Sequence, residues 1–89
     1  MCRNIKRLYN YDPPASQDEI QEAALQYVRK ISGFHQPSKA NEAAFQIAVL
    51  AIAAASSNLL NALQTDAPRR SRAEDKARAQ ARAADRFAR

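Results

Sequence analysis

The sequence is poor in the residues that make tight turns and covalent cross-links. Its 89 residues include one glycine, Gly33, and one cysteine, Cys2. Strands joined by tight hairpins need more turn residues than this, so the scarcity favours helices. A single cysteine cannot form an internal disulfide, and no basic start leads into an apolar run with a small-residue cleavage site. We therefore expect a mostly helical, soluble, cytoplasmic protein.

Large apolar side chains are also few. Tryptophan is absent and aromatic residues make up 7% of the chain, while alanine supplies much of the 46% hydrophobic fraction. Alanine brings little apolar area, and a short chain buries a smaller share of its surface than a long one. The core of a monomer would be thin, so a homo-oligomer is an expected way to bury more surface.

The excess positive charge is confined to one end of the chain. Residues 67–89 contain eight basic and three acidic residues, whereas the first 66 residues contain six of each. The net charge of +5 therefore belongs to the tail. Any attraction to nucleic acid or to another polyanion is expected there.

The first predicted helix has clear start and stop signals. Pro13 and Pro14 end an N-terminal arm, residues 1–15, and Ser16 with Glu19 then forms a capping box. Gly33 can adopt the positive φ that ends a helix. The pattern predicts a helix over about residues 16–32, with an apolar stripe formed by Ile20, Ala24, Tyr27, Val28 and Ile31.

A second helix is predicted over about residues 39–64, after a loop and a capping serine, Ser38. No charged residue occurs between Ala43 and Thr65. The most apolar run is shorter than the ~20 residues of a membrane span, so we expect no span. Its broad apolar face comprises Phe45, Ala48, Val49, Ile52, Leu59, Leu60 and Leu63.

Ile47 and Leu50 fall outside that apolar face of the second helix. We expect these two side chains to contact a partner chain, the tail or the N-terminal arm.

The tail, residues 67–89, is predicted to form a mobile basic helix that begins at a second capping box, Ser71 with Glu74. A basic stripe on such a helix could lie against phosphates. A charged helix that simply stays in water is the alternative. The candidate nucleic-acid residues are Arg69, Arg70, Arg72, Arg78, Arg82 and Arg86.

No recognisable catalytic or metal motif occurs, so we expect no enzyme. One place is chemically unusual, because removal of Met1 would leave Cys2 with a free α-amine beside its thiol. Such a pair could chelate a metal or act as a nucleophile. His35, the only histidine, is the one available partner, but two ligands do not complete a zinc site. No cofactor is otherwise indicated.

Several separated segments look like those of a known family. They are the opening Met-Cys-Arg-Asn-Ile, the Pro13-Pro14 step, the run Ala-Leu-Gln-Tyr-Val-Arg-Lys-Ile-Ser-Gly-Phe at 24–34, and the run Pro-Ser-Lys-Ala-Asn-Glu-Ala-Ala-Phe at 37–45. Over about residues 1–68 the chain resembles a bacterial family of small uncharacterised proteins, the domain-of-unknown-function family numbered 2277. The resemblance implies a bacterial, cytoplasmic protein and carries over no activity and no catalytic residue.

Together these patterns predict an all-α fold. The arm (1–15) is expected to support a helical hairpin core (16–66), and the basic tail (67–89) follows it. The leading functional hypothesis is a non-enzymatic interaction or assembly module that self-associates through the long alanine-rich helix. Nucleic-acid binding by the tail and thiol or metal chemistry at Cys2 are the alternatives.

Overall fold

The computed structural model describes residues 5–88, and the side chains of residues 5–86. Its main elements are three helices, α1 (Gln17–Ser32), α2 (Glu42–Ala62) and α3 (Arg72–Ala88). Helices α1 and α2 pack together as a hairpin, which confirms the predicted mostly helical fold.

The ends of α1 follow from the local sequence. The Glu19 backbone N–H donates to the Ser16 hydroxyl at 3.1 Å, and the Ser16 N–H donates to the Glu19 carboxylate at 3.1 Å. This reciprocal pair is the predicted capping box. At the other end Gly33 has φ of 77°, and its N–H donates to the Arg29 carbonyl at 2.9 Å. The predicted limits of this helix are therefore correct to within one residue.

Helix α2 begins after a short 3-10 turn, Lys39–Asn41. The Ser38 side chain makes no capping hydrogen bond to the backbone of this turn, and instead its hydroxyl accepts from the Asn41 amide at 2.9 Å. The helix ends at Ala62, before the predicted Gln64, because Leu63 adopts an extended conformation.

Two very short strands join the arm to the tail. Strand β1 (Tyr11–Asp12) pairs in parallel with β2 (Arg70–Ser71), with Tyr11 opposite Arg70 and Asp12 opposite Ser71. Neither strand was predicted, because two residues are too few for an alternating pattern to be recognised. Their pairing holds the start of α3 against the N-terminal arm.

The core lies between α1 and α2 and is small. It consists of Ile20, Ala24 and Val28 from α1 with Val49 and Ala53 from α2. In each helix these residues are spaced by four, so they form rows inclined to the helix axis. Leu8 of the arm packs against the cluster, as do the half-buried side chains Ala15, Leu25, Phe45, Ala48, Ile52 and Leu60.

The predicted apolar faces are wider than the buried ones. Tyr27 and Ile31 were expected in the α1 stripe, but they are 45% and 65% exposed. Leu59 of α2 and Leu63, the residue directly after it, are also exposed, at 56% and 43%. The reason is geometric. Helices that meet along rows of residues spaced by four bury those rows, whereas residues three positions further along, such as Tyr27 and Ile31, stay outside the contact. The protein measures 46 × 37 × 18 Å, so it is close to a single layer of helices about 10–12 Å in diameter.

The stretch Lys39–Ala62 has the length and composition of a membrane-crossing helix. It contains 24 residues, and only 11% of its most apolar window is buried within the protein. Core helices of similar length are mostly buried, so this helix has more uncovered apolar surface than an internal element needs.

Truncation of Ile20 should show that the inclined row carries the stability of the hairpin. Because Ile20 is 5% exposed, Ile20→Ala should lower the free energy of unfolding by about 2–4 kcal/mol, and Ile20→Val by about 1 kcal/mol. The matched control is Ile31→Ala, on the same helix, with an expected change within about 0.5 kcal/mol. Urea unfolding of dilute protein measures all three. Equal losses for Ile20→Ala and Ile31→Ala would contradict the assigned core.

Candidate functional site

The most highly connected polar cluster lies where the arm, α1 and α3 meet. We call it the arm–tail junction and define it by Tyr11, Glu19, Arg70, Arg72 and Asp75. These residues come from three separate parts of the sequence, and β1–β2 pairing together with the helix starts positions them.

Asp75 is the acceptor on the α3 side of the junction. The Tyr11 hydroxyl donates to one carboxylate oxygen, and the Arg70 guanidinium donates to the other at 3.1 Å. Both hydrogen bonds lower the pKa of Asp75, and the one from Tyr11 has the larger effect. The same bond raises the pKa of Tyr11, because ionisation of the phenol would remove the donated proton.

Arg72 is the link between the tail and α1. Its two terminal nitrogens donate to both oxygens of Glu19, at 2.8 and 3.1 Å, and its Nε donates to the Pro13 carbonyl at 3.1 Å. The guanidinium also lies 5.3 Å from the centre of the Tyr11 ring. The hydrogen bond from Arg72 makes the largest contribution to lowering the pKa of Glu19, and the hydrogen bonds from Ser16 lower it further. Glu19 therefore caps α1 and anchors α3 at the same time.

Asn10 extends the junction through the backbone. It has a positive φ of 64°, which asparagine tolerates better than most residues. Its side-chain amide donates to the carbonyls of Ala67 and Pro68, at 3.3 and 3.0 Å, and its carbonyl accepts from the Arg70 N–H at 2.8 Å. The linker before α3 is thus attached to the arm at several points.

The junction contacts the start of the basic tail. In the first turn of α3, Arg72 pairs with Glu19, and Asp75 accepts from Tyr11 and Arg70. The expected mobility of the tail stays a prediction. Ser71 caps α3 as expected, since its hydroxyl accepts from the Glu74 N–H at 3.2 Å.

Three of the six candidate nucleic-acid residues already form ion pairs within the chain. Arg70 and Arg72 belong to the junction, and Arg78 pairs with Glu74 and Asp75 at 3.8 and 3.4 Å. The structure gives Arg69, Arg82 and Arg86 no ion pair among residues 5–86. Nucleic-acid binding by the tail stays a prediction.

The partner-helix candidates, Ile47 and Leu50, lie uncovered in the first half of α2. They are 67% and 49% exposed, so neither the arm nor α3 buries them. Contact of these two residues with a partner chain stays a prediction.

The described structure does not test whether the thiol or metal candidates, Cys2 and His35, come together. Cys2 lies outside the described residues, and His35 is an exposed loop residue whose carbonyl accepts from the Arg29 side chain at 2.9 Å. Within residues 5–88, no three His, Cys, Asp or Glu side chains form a group that could hold a metal ion. Chemistry at Cys2 stays a prediction.

Two open cavities flank the arm. One, of about 510 Å³, lies between the arm, the end of α2 and the linker, and Leu8, Leu60 and Leu63 contribute to its walls. The other, of about 580 Å³, lies on the opposite side of the arm, against the junction and the first half of α3. The sequence did not indicate either cavity, because their walls come from segments that only folding brings together.

Sequence reasoning also missed Tyr11 and Asp75 as interacting residues. Nothing in the spacing links an arm tyrosine to a helix aspartate far along the chain. The one available signal was a pair of arm tyrosines, Tyr9 and Tyr11, shortly before the two prolines.

The arm–tail junction should depend on pH in a defined way. The pKa values of Glu19 and Asp75 are lower in the folded chain, so their contribution is complete above the ordinary carboxyl range of about 4 and is lost as the pH falls further. The raised pKa of Tyr11 has the opposite sign: its contribution is complete below about pH 10 and is lost above it. Amide exchange protection at Arg70, whose N–H donates to Asn10, reports on docking.

The charge of Asp75 can be tested at neutral pH with the same amide. Asp75→Asn should reduce Arg70 protection, whereas Glu74→Gln, next to it on the exposed side of α3, should leave it nearly unchanged. Unchanged protection in Asp75→Asn would show that the side-chain contacts do not hold the tail.

Comparison with known proteins identifies a family but no characterised relative. No curated protein and no solved structure matches the chain. A family described as an uncharacterized conserved protein, DUF2277, matches residues 1–78. The match extends beyond the hairpin into the first turns of α3, so it includes every residue of the arm–tail junction. The chain therefore belongs to the DUF2277 family.

Proposed function

We propose that this protein is a small interaction module that self-associates through the uncovered face of α2. The observation that carries the proposal is the exposure of Ile47 and Leu50, two large apolar side chains in a helix without charge from Ala43 to Ala62. Exposed apolar side chains grouped on one face are typical of protein interaction sites.

The exposed face has the spacing of a helix–helix contact. Its residues alternate in steps of four and three, which is the heptad pattern of coiled coils. We call this row the α2 seam. At about 100° per residue, it lies roughly a quarter turn around α2 from Val49 and Ala53, beside the buried face. The seam consists of Ala43, Ile47, Leu50, Ala54, Ser57 and Asn61.

The residue types favour a second copy of the chain as the occupant. In heptad notation Ile47, Ala54 and Asn61 take the a positions, and Leu50 takes a d position between them. Isoleucine at a with leucine at d favours two parallel strands, and one asparagine at an a position specifies the register. The small alanine side chains allow the two helices to approach closely. The seam is therefore complementary to itself.

Substitutions on the seam should weaken association. In the full chain, Ile47→Glu or Leu50→Glu would place a charge in the contact, so the dimer dissociation constant should rise at least tenfold, equivalent to about 1.4 kcal/mol. The matched control is Ala55→Glu, an exposed position of α2 outside the seam, which should change it less than about twofold. Light scattering and sedimentation over a range of concentrations measure the change.

A lipid surface is the main competing occupant, because α2 has the length and composition of a membrane span. Co-sedimentation with lipid vesicles forms a second arm of the test. A chain that stays monomeric at high concentration contradicts the proposal. If that monomer also partitions into vesicles, and Leu50→Glu abolishes the partitioning, lipid replaces the second copy as the occupant.

Cross-linking should reveal the orientation of the two helices. With Cys2→Ser as background, Ser57→Cys places a thiol at a d position, where parallel in-register helices bring the two copies close together. Mild oxidation should then give a disulfide-linked dimer, whereas Ala55→Cys, outside the seam, should give little. An antiparallel pair would separate the two thiols. A dimer without Ser57→Cys cross-linking would therefore rule out the parallel arrangement.

A further inference from the structure

The cavity of about 580 Å³ beside the arm–tail junction has an unbalanced charge. Six charged side chains line it, of which four are basic: Lys6, Arg7, Arg72 and Lys76. The other two, Glu19 and Asp75, are the carboxylates of the junction.

Both carboxylates already accept hydrogen bonds from side chains of the junction. Glu19 accepts both terminal nitrogens of Arg72, and Asp75 accepts from Tyr11 and from Arg70 outside the cavity. They therefore have little capacity left to neutralise the remaining cations. Among residues 5–86, the structure shows no ion pair for Lys6, Arg7 or Lys76.

These three cations reach the cavity from distant parts of the sequence. Lys6 and Arg7 lie on the arm and Lys76 lies on α3, and the junction holds the two segments together. The hydrogen bond to Asp75 raises the pKa of Tyr11 overall, but the charges of Arg70 and Arg7 act on the same hydroxyl in the opposite direction. Arg7 is thus close enough to the wall of the cavity for its charge to act there.

The remaining walls are apolar. Leu8 and Ala79 contribute aliphatic groups. The ring of Tyr11 is held in place by its bond to Asp75 and by the guanidinium of Arg72. A site with several cations beside an aromatic and aliphatic wall is suited to an anion that carries an organic group.

We infer that this cavity binds the phosphate group of a small phosphorylated organic molecule. A phosphate monoester carries a charge of about −1.5 to −2 at neutral pH and several strong acceptor oxygens. It therefore matches three cations that line one cavity better than a ligand with a single carboxylate would. Lys6, Arg7 and Lys76 donate to the phosphate oxygens. Leu8, Ala79 and the Tyr11 ring contact the organic group.

The site is separate from the α2 seam. None of the residues that line it belongs to α2, so phosphate binding and self-association can fail independently.

Binding should be measured with the full chain and two probes, inorganic phosphate and phenyl phosphate, by calorimetry and by amide NMR shifts. We expect both probes to bind, phenyl phosphate more tightly, with the largest shifts at Lys6, Arg7 and Lys76. Added salt should weaken both, because the cations are exposed. If neither probe binds at low salt, the inference is wrong.

Variants separate the cavity from general positive charge. The double variant Lys6→Gln/Lys76→Gln should weaken the binding of phenyl phosphate at least tenfold. The matched control, Lys30→Gln/Arg82→Gln, removes two exposed positive charges elsewhere on α1 and α3 and should weaken it less than twofold. Equal weakening in the two double variants would overturn the inference.

Short duplex DNA provides the third arm, because nucleic acid also presents phosphate. If DNA binds while phenyl phosphate does not, the surface of the tail rather than the cavity is the anion site, and the inference fails. Helix content and Arg70 amide protection should match the parent chain in both double variants, which shows that any loss of binding is local.

Discussion

The inclined contact between α1 and α2 is the interaction on which the rest of the structure depends. Among the described residues, it buries only Ile20, Ala24, Val28, Val49 and Ala53, so one side of each of the two helices supplies the core. Alanines in both rows let the helices approach, but they add little apolar area. The hydrophobic contribution of this core is therefore modest, and loss of any one large member affects the whole hairpin.

Polar contacts attach the arm and α3 to the start of α1. Glu19 both completes the capping box of α1 and receives Arg72 of α3, so one carboxylate joins a local helix signal to a tertiary contact. Tyr11 and Asp75 add a second connection between the arm and α3. In these bonds Glu19 and Asp75 are already paired with other side chains. The basic residues around them, Lys6, Arg7 and Lys76, therefore give the adjacent cavity its positive charge. Stabilisation of the tail and the proposed phosphate site thus have the same origin.

The flat shape explains why two different surfaces stay open. A hairpin of two helices with a third docked at one end leaves Ile47 and Leu50 of α2 uncovered, and it leaves a cleft lined by the arm, α1 and α3. The first surface is apolar and uncharged, whereas the second is basic. Their different chemistry suits different occupants: an apolar helix contacts another helix or lipid, and a basic cleft attracts an anion. A self-associating module that also binds a small anion is consistent with both surfaces.

Helix positions in this chain were determined by local sequence, and functional geometry was not. Ser16, Glu19 and Gly33 define α1 because capping involves only neighbouring backbone groups. Helical spacing places Ile47 and Leu50 outside the apolar face of α2, and both are exposed. Tertiary structure alone decided that Tyr27 and Ile31 are exposed, since that depends on the inclination of the contact row. It also decided that Tyr11 meets Asp75 and that Lys6 faces the same cavity as Lys76. Spacing along a chain predicts which side chains share a helix face, but contacts between distant segments depend on how the elements pack.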